Sequence, residues 1–210
     1  MVMMVYKTPK NLGWLDCKLE QRHIDFLWER IKEGGENHKK TLAGNISKSF
    51  KIKDKDDYFY KEVLTDCMNG YYDQAGTVPI RQLSSYIMKL KLTDFWCNYQ
   101  YKHEFNPYHH HGGVYSFAIW LKIPYNWREQ NNLEHLRDVK EDEKKAGIFE
   151  FEFTDILGGI CHYGYRLDKS MEGQMVFFPA ALKHCVYPFY GTDEPRVSIS
   201  GNLTLEPEIK

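Results

Sequence analysis

Three consecutive histidines stand directly before an apolar stretch, at a spacing that could bind a metal ion. His109, His110 and His111 precede two glycines and the apolar run 114–123. Because side chains alternate between the two faces of a strand, His109 and His111 would point one way and His110 the other. Two imidazoles on one face can chelate a transition metal. A polar turn that contains three histidines by chance accounts for this segment, taken alone, equally well.

A fourth histidine and an arginine near the C-terminus supply further groups for such a site. His184 begins the run 184–189 and Arg196 begins the run 196–203, and the residues between these runs are rich in Gly, Asp and Pro. That composition is typical of a hairpin loop. Antiparallel pairing would set His184 nearly opposite Arg196, with Cβ atoms roughly 5 Å apart, and Ser198 would share the face of Arg196. We therefore expect a metal ligand and a guanidinium to share one cavity.

The positive charge of Arg196 predicts an anionic partner. A guanidinium that faces a sandwich interior is unfavourable unless an anion pairs with it. The planar fork of Arg196 suits a carboxylate, and the Ser198 hydroxyl could add one more hydrogen bond. In the alternative interpretation, Arg196 lies at a rim and pairs with Asp193 or Glu194.

The elements that would position these residues are short strands. From about residue 83, most gaps between β-type runs contain Gly, Pro, Asn or Asp. The runs are 92–101, 114–123, 147–153, 160–167, 174–179, 184–189 and 196–203. Short strands without helices between most of them favour an antiparallel sandwich or barrel. Glycine-rich phosphate-binding loops are absent from the sequence, which argues against nucleotide chemistry.

The first third of the chain has helical periodicity instead. Apolar residues at 19, 24, 27 and 31 predict one helix that ends at Gly34, and a stripe from 59 to 68 predicts a second that ends at Asn69-Gly70. We expect a single domain over 1–210, with 1–82 as a mostly helical support and 83–205 as the strand-rich core. The charged segment 127–146 is interpreted as a surface excursion with a short helix, and a lid is the less favoured alternative.

Composition limits the class of protein. The chain has 210 residues, 28 Lys+Arg against 29 Asp+Glu, and 12 Phe, 15 Tyr and 5 Trp. This balance excludes a strongly basic nucleic-acid binder and a disordered chain. Five cysteines without a C-x-x-C pair favour a reduced, intracellular setting. With neither a signal sequence nor a membrane-spanning apolar run, we expect a soluble cytoplasmic protein without a membrane partner.

The ligand pattern resembles a known family. His109-x-His111, His184 and Arg196-x-Ser198 are similar to the H-x-D, H and R-x-S motifs of iron(II)/2-oxoglutarate-dependent oxygenases. Over about residues 83–205, the amino-acid sequence is more closely similar to tailed-phage members of that class. The passages that carry this similarity are 96–100, 104–107, 109–113, 116–124, 147–155 and 173–202. The resemblance implies a double-stranded β-helix, or jelly roll, with N-terminal helices in support.

The resemblance also implies cofactors and roles. His109, His111 and His184 would bind Fe(II), and Arg196, helped by Ser198, would bind the far carboxylate of 2-oxoglutarate. The implied reaction hydroxylates a substrate and releases succinate and CO2. A protein side chain, a nucleobase and a small molecule all remain open as substrates, and the oligomeric state is open as well. If the chain is phage-encoded, it would act in the cytoplasm of the infected host cell.

One position departs from the family pattern, because His111 stands where the family has a carboxylate. A neutral imidazole there leaves a bound metal site one unit more positive, which disfavours Fe(III). Glu104 lies outside the motif and is a weak candidate for the missing oxygen ligand, and His162 is expected to be a core or surface residue. Two alternatives stay open. One is a three-histidine cupin dioxygenase that does not use 2-oxoglutarate, and the other is a non-catalytic jelly-roll module.

Overall fold

The computed structural model describes residues 3–5, 11–76 and 89–206, and ten strands lie within these ranges. The strands are β1 (Leu15–Lys18), β2 (Lys48–Lys51), β3 (Leu90–Gln100), β4 (Asn106–His109), β5 (Tyr115–Lys122), β6 (Phe149–Thr154), β7 (Ile160–Tyr165), β8 (Gln174–Pro179), β9 (Lys183–Val186) and β10 (Arg196–Leu205). The α-helices in the same ranges are α1 (Gln21–Glu33), α2 (Thr65–Ala75) and α3 (Trp127–Asn131). None of these helices is long and apolar enough to cross a membrane.

The strands form two antiparallel sheets that pack face to face. The larger sheet has the order β1-β8-β5-β10-β3-β2, and the smaller has the order β4-β9-β6-β7. Aromatic side chains from both sheets, including Trp120, Phe149, Phe151 and Phe178, are buried against one another between the layers. Two layers of antiparallel strands with helices from the N-terminal part form the predicted jelly roll.

The helices cover the outer face of the larger sheet. Leu27 of α1 and Leu64, in the π-helical turn that leads into α2, are fully buried, and they belong to the same core cluster as Phe117 and Phe177 of the sheet. This packing confirms that the predicted helical stripes face a core. The strands supply the other half of this core because every second side chain points to the helices.

The second helix runs further than the sequence predicts. It passes through Gly70 and ends at Ala75, after which Gly76 takes a left-handed conformation with φ +67°. A glycine inside a helix costs only about 1 kcal/mol relative to alanine. The next turn places Tyr71 in the core, 2% exposed and edge-on to Tyr115, so its packing outweighs that cost.

Three short strands were not predicted. β1 and β2 lie in the part of the chain expected to be mostly helical, and they form the two edges of the larger sheet. β4 carries the first histidine of the predicted metal motif. Each of the three has only four residues, and even the alternating side chains of β1 make too short a run to identify a strand beside the helical pattern that follows. The predicted boundary at 82/83 lies outside the described residues.

The charged segment 127–146 is built as expected. It contains α3 and two short 3-10 turns, and most of its charged side chains are exposed. Buried Gln130 fastens it to the neighbouring loop through hydrogen bonds with the backbone of Tyr190. No residue of this segment lines the cavity described below, so the structure gives no support to a lid.

Candidate metal centre

Three imidazoles converge between the two sheets. β4 and β9 are neighbours in the smaller sheet, and their register sets His109 directly opposite His184. The ring centroids of this pair are 4.3 Å apart, and His111 lies 5.0 Å from His109 and 5.1 Å from His184. One nitrogen from each ring lies within 4.8 Å of the other two. This spacing suits three ligands around one transition-metal ion.

Hydrogen bonds orient two of the rings. The Nδ1 atom of His109 lies 2.7 Å from the Pro107 carbonyl, and that of His184 lies 3.0 Å from the Leu182 carbonyl. A carbonyl only accepts, so Nδ1 carries the proton in both rings and Nε2 carries the lone pair. In this structure, the Asn106 amide donates to Nε2 of His109 at 3.2 Å. A backbone carbonyl on the far nitrogen is the usual second partner of a metal-binding histidine.

Burial lowers the pKa of all three imidazoles. The pKa of His184 falls well below its ordinary range because the ring is buried, with a further contribution from His109 and His111. Burial lowers the pKa of His111 to about 4. The pKa of His109 is also lowered by burial, partly offset by its bond to Pro107. The three rings are therefore neutral at pH 7, which is the form that binds metal.

The other candidate ligands lie outside this cluster. His110 is exposed, as strand alternation predicts, although it contributes to the cavity lining. The Glu104 carboxylate is turned away and accepts hydrogen bonds from the backbone of Ser47 and Tyr101. His162 lies on β7, where its Nε2 is 3.4 Å from Glu152.

Arg196 lies in the larger sheet and lines the same cavity of about 340 Å³ as the histidines. The residue is 2% exposed. Its Nη1 donates to the Tyr125 hydroxyl at 2.6 Å and to the Gly147 carbonyl at 3.1 Å, while Nη2 donates to the Gln100 amide oxygen. These bonds use three of the five N–H groups of the guanidinium. Ser198, two residues further along β10, also lines the cavity.

The guanidinium is buried without a carboxylate partner among residues 11–76 and 89–206. The rim alternative is wrong, because Asp193 pairs with Lys102 at 2.8 Å and Glu194 pairs with Lys122 at 2.5 Å. Neutral acceptors orient the guanidinium but leave its charge uncompensated. The cavity end at Arg196 therefore suits an anionic ligand.

The predicted pairing of His184 with Arg196 is also wrong. His184 pairs with His109 and Phe151 in the smaller sheet, whereas Arg196 pairs with Gln100 in the larger. The chain after β9 leaves its sheet because Phe189 is fully buried, stacked on Tyr125 at 4.7 Å, so the segment crosses between layers instead of turning back. The two residues still share a cavity, since the sheets face each other across it.

Comparison with known families matches residues 94–202 to the family described as "Putative 2OG-Fe(II) oxygenase". The match covers 109 of 210 residues, just over half of the chain, and includes the whole three-histidine cluster and Arg196. This chain belongs to that oxygenase family. It is an oxidoreductase whose cofactors are Fe(II) and, as co-substrate, 2-oxoglutarate. Family membership decides against the non-catalytic module and against the cupin that does without 2-oxoglutarate.

Solved structures share the fold of the oxygenase at low identity. A viral collagen prolyl hydroxylase from Paramecium bursaria Chlorella virus-1, solved with 2-oxoglutarate, has a TM-score of 0.51 and 11% identity, over 90% of this chain and 94% of that one. A Pseudomonas putida prolyl-4-hydroxylase has a TM-score of 0.53 and 12% identity, over 93% and 94%. For a Trichoplax adhaerens prolyl hydroxylase, solved with a hypoxia-inducible-factor peptide, the values are 0.50 and 11%, over 92% and 83%. No curated protein sequence matches significantly. The likeness to tailed-phage members stays a prediction.

The residues that hold Arg196 were not predicted from the sequence. Gln100 is 3% exposed and precedes Arg196 by a long stretch of sequence, yet β3 and β10 pair them directly. Tyr125 is 8% exposed and lies just beyond β5. The face of Gln100 could have been predicted, because Trp96, Asn98 and Gln100 alternate with the apolar Phe95 and Cys97 along one strand. No local pattern marks Tyr125 in the oxygenase, since its role depends on the folded loop around Gly147.

Proposed function

We propose that this oxygenase hydroxylates a substrate in a reaction dependent on Fe(II) and 2-oxoglutarate, with release of succinate and CO2. His109, His111 and His184 bind the metal, and Arg196 with Ser198 binds the far carboxylate of 2-oxoglutarate. One observation carries the proposal. Three neutral imidazoles and a buried, uncompensated guanidinium line the same cavity, on facing sheets.

The metal site is made of nitrogen ligands alone. Bound iron and 2-oxoglutarate supply oxidative decarboxylation of the keto acid and oxygen transfer to a C–H bond, and the protein supplies orientation and a dry site. His109 and His184 present Nε2 inward, because their Nδ1 protons are held by backbone carbonyls. His111 lies against the edge of Trp96 at a centroid distance of 5.8 Å, which limits its rotation.

The hydrogen bonds of Arg196 shape the end of the cavity that binds the co-substrate. Gln100 and Tyr125 hold the guanidinium plane, so it is oriented before any ligand arrives. Two N–H groups remain for a carboxylate, which can accept both in a bidentate arrangement. Ser198 lies on the same face of β10 and adds a hydroxyl donor. Phe149 and Phe178 add apolar surface to the cavity beside the histidines.

A succinate assay tests the reaction. Protein loaded anaerobically with Fe(II) is mixed with 2-oxoglutarate and air, with and without peptidyl-proline, nucleobase and small-molecule candidates. We expect slow succinate formation alone and faster formation with a true substrate. The matched controls are Arg196→Met and His184→Ala, which should abolish both. Succinate formation that is equal in wild type and both variants contradicts the proposal.

His111 is proposed as an adapted ligand and not as a defect. His111→Asp restores the carboxylate of the family pattern but shortens the side chain in a pocket built around an imidazole. We expect the aspartate variant to retain less Fe(II) than the wild type after gel filtration. Equal or greater retention would show that the site is not adapted to an imidazole at this position.

A further inference from the structure

A buried carboxylate on the outer face of the smaller sheet joins two strands that are not neighbours. Glu150 is 1% exposed on β6, and its Oε1 accepts a 2.5 Å hydrogen bond from the Tyr108 hydroxyl of β4. β9 lies between these two strands. Because adjacent strands are about 4.8 Å apart, the two side chains together bridge roughly 10 Å of sheet. Lys145 donates to the other oxygen of Glu150 at 2.5 Å and balances its charge.

The backbone holds β4 only weakly. This strand has four residues, lies at the edge of its sheet, and pairs with β9 at two positions, Asn106 with Val186 and His109 with His184. The register shifts between these two pairs. Pro107, inside the strand, has no N–H to donate. Short edge strands with irregular pairing have a poorly specified register.

The position of β4 determines where the first ligand points. Tyr108 faces outward, on the same side as Glu150 and its register partner Cys185, and the next residue, His109, faces inward. A slip of one residue would turn His109 to the outer face. An outward bond from Tyr108 therefore holds His109 in its inward orientation.

We propose that the Tyr108–Glu150 hydrogen bond is a positioning device for the metal site, which locks β4 so that His109 meets His111 and His184. This inference rests on the proposed function, because it takes His109 as a ligand. Tyr108 and Glu150 do not line the cavity as the structure describes it, and they act on the metal only through the strand.

A matched pair of variants separates positioning from general stability. Tyr108→Phe removes the bond and keeps the ring. Tyr187→Phe removes another phenol, which lies 3.5 Å from the same Glu150 oxygen and beside the Tyr108 hydroxyl, but it leaves the Tyr108–Glu150 bond in place and lies outside β4. We expect Tyr108→Phe to raise the Kd for Co(II) about tenfold, as for other outer partners of metal ligands, and to change the visible Co(II) spectrum. Tyr187→Phe should leave both within twofold of the wild type.

Variants of the acceptor provide a second test. Glu150→Gln keeps an oxygen that can accept from Tyr108, whereas Glu150→Ala removes it. We expect Co(II) affinity in the order wild type, Glu150→Gln, Glu150→Ala. The double variant Tyr108→Phe/Glu150→Ala should bind Co(II) no more weakly than Glu150→Ala, because Glu150→Ala has already removed the Tyr108–Glu150 bond. Additive losses of Co(II) affinity would contradict the proposed role of the Tyr108–Glu150 hydrogen bond.

Amide hydrogen exchange in the metal-free protein gives a readout independent of metal. Exchange at residues 106–109 should be faster in Tyr108→Phe and unchanged in Tyr187→Phe. Wild-type Co(II) affinity together with wild-type exchange in Tyr108→Phe overturns the inference. If the wild type itself binds no Co(II), the metal assignment fails. Amide exchange in Tyr108→Phe and Tyr187→Phe then still decides whether the Tyr108–Glu150 hydrogen bond holds β4 in place. If Tyr108→Phe does not fold, the order of the Glu150 variants decides.

Discussion

The two faces of the larger sheet have opposite chemistry, although the same strands build both. On β10, Val197, Ile199 and Leu203 point to the helices and are at most 1% exposed. Arg196 and Ser198, which alternate with them, line the cavity. Alternation therefore lets one strand contribute to a dry core on one side and a polar site on the other. The residues that stabilise the fold are separate from those that bind ligands.

The cavity face differs in a second respect, because its polar groups are incompletely paired. Arg196 has no carboxylate partner in the described part of the chain, and its bonds go to neutral oxygens. The helix face buries mainly apolar side chains, and the buried Arg30 guanidinium of α1 is paired with Glu33 at 2.9 Å. A surface that keeps an uncompensated charge is less stable on its own and gains stability when its ligand binds. The comparison predicts that stability and ligand binding respond to different substitutions.

The largest effect is expected on the helix face. Ile199→Ala should lower the free energy of unfolding by about 2–5 kcal/mol, because it leaves a cavity in a closely packed core. Its neighbour provides the control, since Ser198→Ala should change the unfolding free energy by less than about 1 kcal/mol. Urea denaturation of both variants measures the difference. Equal destabilisation would break the contrast between the two faces.

Removing a metal ligand should weaken metal binding without lowering the free energy of unfolding. His109→Ala is expected to weaken Co(II) binding more than about a hundredfold, beyond the loss typical of outer partners. His110→Ala should leave it unchanged, because that side chain is exposed outside the cluster. Co(II) titration followed by absorbance compares the two. The reverse order would show that the inward and outward faces of this segment are misassigned.

Arg196→Met should separate co-substrate binding from both metal binding and folding. We expect 2-oxoglutarate affinity to fall by about 2 kcal/mol, roughly thirtyfold, with the loss of a charge-assisted pair. The unfolding free energy without ligand should stay the same or rise, because the variant removes an unpaired buried charge. Isothermal titration calorimetry and urea denaturation report the two quantities. Unchanged 2-oxoglutarate affinity would remove Arg196 from the site.

The last effect is expected from pH, through the imidazole of His111. The pKa of His111 is about 4 in the fold and about 6.5 in an unfolded chain, so the unfolded state binds more protons between these values. The unfolding free energy of metal-free protein should therefore fall as pH drops from 6.5 toward 4, with no further loss from this group below 4. His109, His184, His23 and His38 also have pKa values lowered by burial, so His111→Asn serves as the control that isolates the contribution of His111. Identical pH profiles for wild type and variant would contradict this assignment.

Much of the fold was predictable because it depends on local patterns. The long strands show clear alternation or unbroken apolar runs, and six of the seven predicted runs both begin and end within about two residues of the observed strands. The short strands β1, β2 and β4 were not predicted, since a run of four residues is too short to identify a strand, even where its side chains alternate as in β1. Gly70 indicated a helix end, but packing of the following turn determined the outcome. Local sequence contains no information on that packing.

The candidate site, like the fold, was predictable only in part. Which histidines share a face follows from residue type and from the period of two along a strand. The shared cavity of His184 and Arg196 was predicted from a strand pairing that is wrong, and it depends instead on the two sheets facing each other. Which strands pair does not follow, because Phe189 draws the chain after His184 across to the other sheet. The partners of Arg196 and the bond from Tyr108 to Glu150 likewise join residues far apart in the chain. Such contacts depend on the burial of distant side chains against one another, and only the folded molecule brings those side chains together.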